Sequence, residues 1–298
     1  MDGVTEFFRI LIFDTFDLFS IPMNQWIRDG VDWLVSNFRP LFLAIRWPVD
    51  QVLRALRESL LAVPPGIFLI GLFAVAWVAA TWRVAVFSIF AFAFVGFMGL
   101  WSELMITLAM VLSAVIFCIV VGVPLGIASA RSDRFFRIMR PILDVFQTTP
   151  AFVYLVPVVM LFRIGTVPGV IATIIFSISP IIRLTNLGIR QVDPEVVEAA
   201  ISFGSTSRQV LWKVQFPLAL PTIMAGLNQT IMLSLSMVVI AALIGAGGLG
   251  EPVFAGLNRL QVGLAGIGGL GIVLLAMVLD RITQALGHKG PARHQSSK

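Results

Sequence analysis

Charge is what this chain has least of: 12% of its 298 residues are Asp, Glu, Lys or Arg, while 58% are hydrophobic. A soluble domain carries about a quarter charged residues, so the composition excludes one and points to a bilayer. There is one cysteine, Cys118, set in an apolar run, which excludes an intrachain disulfide. Both histidines, His288 and His294, fall in the hydrophilic stretch "GHKGPARHQSSK", so no metal or catalytic constellation can be assembled around them. The glycine run "GAGGLG" at 245–250 follows an apolar helix rather than a strand, which argues against a nucleotide fingerprint. A cleavable signal peptide needs a basic start, and "MDGVTEFFRILIFDTFDLFS" carries acidic residues throughout.

What is abundant is long uncharged sequence. Seven blocks contain no Asp, Glu, Lys or Arg: 66–82, 84–100, 104–130, 145–162, 167–182, 218–250 and 262–279. Each is near or above the roughly 17 to 25 residues that cross a hydrocarbon core of about 30 Å as a helix, so seven spans are expected. Only Arg83 separates the first two, and one buried arginine costs about 2.5 to 3.5 kcal/mol on insertion scales, which leaves a re-entrant unit as the alternative to a tight turn. The turn is the preferred reading, with Trp77 and Trp82 near the interface.

The formal charge of +5 would raise nucleic acid in a soluble protein, but here its distribution explains it. Arg131, Arg134, Arg137 and Arg140 follow the third block; Arg183, Arg190, Arg208 and Lys213 follow the fifth; Arg281, Lys289, Arg293 and Lys298 follow the last; Arg83 joins them. The opposite connections hold only Arg163 and Arg259. Cytoplasmic connections carry the excess of Lys and Arg, so the C-terminus is expected inside, and seven spans then put the N-terminus on the periplasmic side. Within the N-terminal tail, residues 1–62, "DQVLRALRESLLA" places Leu53, Leu56 and Leu60 on one helical stripe with Arg54, Arg57 and Glu58 off it. That pattern suits an amphipathic helix on the membrane surface, anchored by Trp26, Trp33 and Trp47 at headgroup depth, or a regulatory arm.

Ion-coupled carriers bury acidic, basic or histidine groups in mid-membrane, and the seven blocks contain none. Their polarity is neutral: Gln147, Thr148 and Thr149 before Pro150, Ser177 and Ser179 before Pro180, then Asn228, Gln229, Thr230, Ser234 and Ser236. Such groups either bond one helix to another or line a route for a solute. Thr148, Thr149, Asn228, Gln229 and Ser234 are the pathway candidates. Prolines at 124, 150, 157, 180 and 221 each remove a backbone donor and bend a helix where a route could open.

One polar interruption stands out, "DPEVVEAAISFGSTSRQVLWKVQFPLALP" at 193–221. Asp193 is a good N-cap, Pro194 fits the first helical position and Glu195 the positive first turn, so a short helix should run to a stop near Gly204. Ser205 then caps a second helix, "TSRQVLWKVQF", ending before Pro217. The two form an elbow that either docks into a partner or packs under its own bundle.

The row "EAAISFGSTSRQVLWKVQFPLALP" resembles the signature loop of permease subunits of binding-protein-dependent ABC importers: EAA, three residues, Gly, nine residues, Ile, any residue, Leu, Pro. Glu198, Ala199, Ala200, Gly204 and Pro217 match, while Val214 and Phe216 replace the Ile and Leu. "LDVFQTTPAFVYLVPVVMLF", "GTVPGVIATIIFSISPIIRLT", "LPTIMAGLNQTIMLSLSMVVIAALIGAGGLG" and "LDRITQA" are similar to the glycine betaine, proline betaine and choline branch. The resemblance implies an all-α type I importer permease of about seven spans, residues 63–286, with a cytoplasmic coupling loop at about 184–217 and a hydrophilic tail at 287–298. It also implies a bacterial inner-membrane location, a second permease copy, a binding protein outside, and ATP-binding subunits in which ATP and Mg are held. This chain would then be no enzyme and would carry no cofactor. Glu198, Ala199, Ala200 and Gly204 would contact the ATPase, and the solute would be choline or a betaine. The runner-up is an ion-coupled secondary transporter of a small polar solute.

Overall fold

The computed structural model describes residues 22–288, and the chain there is helical without strands among the described residues. The acidic start at 1–21 and Lys289, Arg293, His294 and Lys298 lie outside the described residues. Two compact units divide at residues 44 and 45. In the first, helix α1 (Met23–Ala62) begins and is interrupted by a locally non-helical Phe38, whose ring meets Trp33 edge-on at 5.7 Å. Trp26 and Trp33 are exposed.

The second unit starts with the rest of α1, where Val49 and Leu53 are buried, Leu56 and Leu60 half-buried, and Arg54, Arg57 and Glu58 exposed, as the stripe predicts. Helices α2 (Pro65–Ala79) and α3 (Trp82–Phe97) form a hairpin, with Phe68 stacked on Phe92 at 5.7 Å. At 15 and 16 residues they are shorter than the spans expected there, and the tight turn falls at Ala80 and Thr81, just before Arg83, which lies in the first turn of α3 with its guanidinium 5.9 Å from the Trp82 ring. Next come α4 (Trp101–Arg131), α5 (Asp133–Thr148), a 3-10 turn (Ala151–Tyr154) leading into α6 (Leu155–Phe162), and α7 (Thr166–Arg190). The chain continues through α8 (Pro194–Ser202), α9 (Ser207–Ile244), α10 (Gly250–Asn258) and α11 (Val262–His288).

Four of these, α4, α7, α9 and α11, are long and apolar enough to cross a membrane. The expected fourth span, 145–162, is not one straight helix: the chain turns by 109° between α5 and α6. Pro150 is the cause. It offers no N–H to the Phe146 carbonyl, and the ring forbids continuing the helix. The Tyr154 hydroxyl donates to that carbonyl at 2.8 Å instead.

The core is α4 and α9 packed on α7, and small residues set how closely they approach. A side chain at Gly122 would meet Ile181 Cγ2 at 2.5 Å, and one at Gly126 would meet Thr185 Cβ at 2.5 Å and the Ile182 carbonyl oxygen at 2.9 Å. Without apolar-versus-water discrimination between lipid and protein, contacts of this kind hold spans together. Hydroxyls contribute as well: Ser234 donates to Ser177 at 3.0 Å, and Cys118 adjoins the same Ser177 Oγ at 3.5 Å, joining all three helices. At the far end from α8, the α9–α10 turn docks through the Leu249 N–H, which donates to Thr107 Oγ1 at 2.8 Å.

Candidate coupling elbow and the broken helix above it

Asp193 caps α8 as its sequence predicts, its carboxylate accepting the Glu195 N–H at 2.9 Å with Pro194 next to it. The helix stops in a Schellman turn. Gly204 sits at φ +83°, its N–H donates to the Ile201 carbonyl at 2.8 Å, and the Ser205 N–H reaches back to the Ala200 carbonyl at 3.1 Å. This gives the spacing between Ala200 and Gly204 a geometric meaning: Ala200 supplies the last carbonyl and Gly204 the left-handed residue four positions on.

Ser205 does not cap the second helix, a correction to the sequence expectation. Ser205 belongs to the turn that closes α8, and Thr206, the next residue, takes the role in a capping box: Gln209 N–H to Thr206 Oγ1 at 3.4 Å, Thr206 N–H to Gln209 Oε1 at 2.8 Å. Nor does that helix end before Pro217. Residues Val210–Gln215 widen into a π turn, in which the Phe216 N–H bonds the Leu211 carbonyl. A register step of this sort accommodates the proline that an α turn would reject. The outcome is one continuous helix of 38 residues, roughly 57 Å, from the elbow through the bundle.

Glu198 and Ala199 are exposed, Ala200 half-buried and Gly204 open, with no atom near the place a side chain would occupy. Sequence reasoning missed the apolar neighbours: Val196 and Ile201 are exposed, and Phe203, at the tip, is 91% exposed. Its position just before a left-handed glycine was the available signal. Behind the elbow an open hollow of about 520 Å³ is lined by Glu198, Arg131, Arg190 and Gln215. Arg190 ties this end together, donating to the Ser129 carbonyl at 2.8 Å and pairing with Asp133 at 2.7 Å.

The five pathway candidates do not converge on one point. Thr148 and Thr149 stand at the end of α5, their hydroxyls turned back to the carbonyls of Asp144 and Val145 at 3.0 and 2.8 Å. Asn228 faces α11, donating to Asp280 at 3.0 Å and accepting from Thr283 at 2.6 Å. Ser234 is buried against Ser177, and Gln229 is exposed on the opposite side of α9. No group of three or more His, Cys, Asp or Glu residues able to hold a metal occurs among the described residues.

The family model of the binding-protein-dependent transport system inner membrane component matches residues 122–289, which include α7, the elbow, α9 and α11. The chain belongs to that family. Among its relatives, the glycine betaine/proline betaine transport system permease protein ProW of Escherichia coli (strain K12) is 53% identical over 288 residues, covering 97% of this chain and 81% of the relative. The glycine betaine/carnitine transport permease protein GbuB of Listeria monocytogenes serotype 1/2a (strain 10403S) is 45% identical, covering 91% of this chain and 97% of the relative. In fold, the chain is similar to an inward-facing structure of the MetNI methionine ABC transporter, with a TM-score of 0.54, 22% identity, and coverage of 63% of this chain and 95% of that one. The permease is thus a multi-pass inner-membrane transport component with the type I importer fold, and the ion-coupled carrier falls away as a reading.

Proposed function

We propose that this permease carries a quaternary ammonium solute, glycine betaine, proline betaine or choline, into the cytoplasm, driven by an ATP-binding subunit that grips the elbow. The observation that carries the reading is the 53% identity, over nearly the whole chain, to a permease named for glycine betaine and proline betaine. Glu198, Ala199, Ala200 and Gly204 are the contacts with the ATPase, and the exposed Phe203 is their apolar anchor. ATP closes the paired ATPases, and their movement enters the bundle through the unbroken helix α9. ATP and Mg reside in that partner.

The permease acts as a pair, with the elbow cytoplasmic. Residues 63–286 form the transport unit, the tail at 287–298 is cytoplasmic, and the N-terminus is periplasmic. Supporting that side for the part of α1 after residue 44, Arg46 donates to the Phe162 carbonyl at 3.4 Å, beside the end of α7 farthest from the elbow. Tight recognition sits in the external binding protein, where aromatic faces can hold a trimethylammonium group, and a lumen without unpaired charge releases the solute again. Thr148, Thr149 and Gln229 line this route; Asn228 and Ser234 serve it by holding α11 and α7 in place beside α9.

The test is Gly204→Asp. An aspartate at φ +83° strains the Schellman turn and, above all, puts a charge at the grip, so ATP-driven uptake should be lost while the permease stays in the membrane. Normal uptake by assembled Gly204→Asp complexes contradicts the assignment.

A further inference from the structure

Helix α5 is the one long amphipathic element inside the transport unit, and it does not lie flat. Asp133 pairs with Arg190 at one end of α7, while the Leu143 carbonyl accepts from Ser179 at the middle of α7. Over that stretch α7 advances roughly 16 Å and α5 roughly 15 Å, so the two helices run side by side and α5 reaches the middle of α7. Its surface has three distinct strips. Leu143 is buried and Phe136, Met139 and Phe146 are half-buried on one; Ile138, Ile142 and Val145 are exposed on a second. The third is wholly polar and exposed: Asp133, Arg137, Arg140, Asp144, Gln147 and Thr148, spaced three and four residues apart.

Arg183 of α7 pairs with Asp144 at 2.5 Å, about 10 Å along the helix from Arg190. The Asp144 side chain remains 52% exposed and that of Arg183 34%, and the Arg183 Nε is buried without a hydrogen bond. Charge left half-exposed about 10 Å in from the end of a spanning helix is poorly matched to lipid and calls for water or protein beside it. Just above it, the α5 carbonyls end at the Pro150 break, presenting the negative end of a helix dipole.

We propose that the Arg183–Asp144 pair is a charge station for a zwitterionic solute on the wall of a water-filled route. The guanidinium takes the solute carboxylate, and Asp144, with the open end of α5, takes the trimethylammonium. This assignment rests on the quaternary ammonium reading above. An internal pair that opens to receive a zwitterion leaves neither charge alone at any stage, so the solute crosses without a deep trap. Choline, lacking a carboxylate, would use only the Asp144 half.

The test uses the complete transporter in inside-out vesicles, in a Cys118→Ala background. Single cysteines at Gln147, Thr148, Ile142 and Val145 are exposed to a membrane-impermeant, trimethylammonium-bearing thiol reagent. Reaction is expected at 147 and 148 and not at 142 and 145. In parallel, the Asp144→Asn/Arg183→Gln double variant, which keeps hydrogen bonding but removes both charges, should lower glycine betaine moved per ATP hydrolysed by about tenfold. Silence at 147 and 148, equal reaction at all four positions, or an unchanged solute-to-ATP ratio would overturn the station. Failure of the unsubstituted transporter to import any quaternary ammonium solute would instead overturn the functional reading itself, whatever the labelling pattern.

Discussion

Replacing Tyr154 by Phe removes one oxygen from the permease and keeps the ring, which lies 6.5 Å from Phe146 and 5.9 Å from Phe176. The lost hydroxyl is the donor that stands in for the absent amide of Pro150, at 2.8 Å from the Phe146 carbonyl. Tyr154 is buried, so water does not readily replace it. An unsatisfied buried acceptor costs about 1–3 kcal/mol, whereas side-chain hydrogen bonds between membrane helices average about 0.6 and reach about 1.7 kcal/mol. We therefore expect about 1–1.5 kcal/mol. The assay is reversible unfolding of the purified permease in mixed micelles, run as a double-mutant cycle with Pro150→Ala. The alanine restores an N–H at the position the Phe146 carbonyl lacks, so Tyr154→Phe should cost clearly less in that background. An identical cost in both backgrounds would refute the substitution of hydroxyl for amide, and a negligible cost in the native background would refute it as well.

Gly126→Ala should destabilise by about 1–3 kcal/mol in the same assay, because the new methyl meets Thr185 Cβ at 2.5 Å and the rigid Ile182 carbonyl, while Gly263→Ala, with nothing within 4 Å, should be neutral. Equal effects would show that α4 and α7 are not held at glycine distance. Phe203→Ala should leave the fold intact and weaken ATPase-subunit binding by about 2 kcal/mol, measured by co-purification against subunit concentration; unchanged binding would remove Phe203 from the grip.

Local signals were the legible ones. Asp193, Pro194 and Gly204 declare a capped helix and its left-handed stop within a dozen residues, and the structure places each where its chemistry suggests. Ser205 misled because its fate depends on a hydrogen bond back to Ala200 that closes the preceding helix, leaving Thr206 as the first residue free to start the next. Pro217 misled for the opposite reason: a π turn absorbed it without ending the helix.

Counting spans from charge-free blocks measures apolar length and not continuity, so 145–162 read as one crossing although Pro150 turns it. The same method hid α5. Its first twelve residues hold Asp133, Arg134, Arg137, Arg140 and Asp144, which read as a cytoplasmic connection, and only the contacts with Arg190, Arg183 and Ser179 reveal that it rises beside α7. Asn228 and Ser234 are pathway candidates by composition; their hydrogen-bond partners lie on neighbouring helices, which no single sequence displays.

The central claim is that an external ATPase, acting on the elbow, drives a solute through a bundle that has no motor of its own. Its most direct test is uptake of labelled glycine betaine and choline by sealed vesicles containing the permease, its ATP-binding subunit and its binding protein. The account predicts accumulation that requires ATP and disappears when the ATP-binding subunit is omitted. Accumulation that continues without that subunit and collapses with an ion gradient would contradict it.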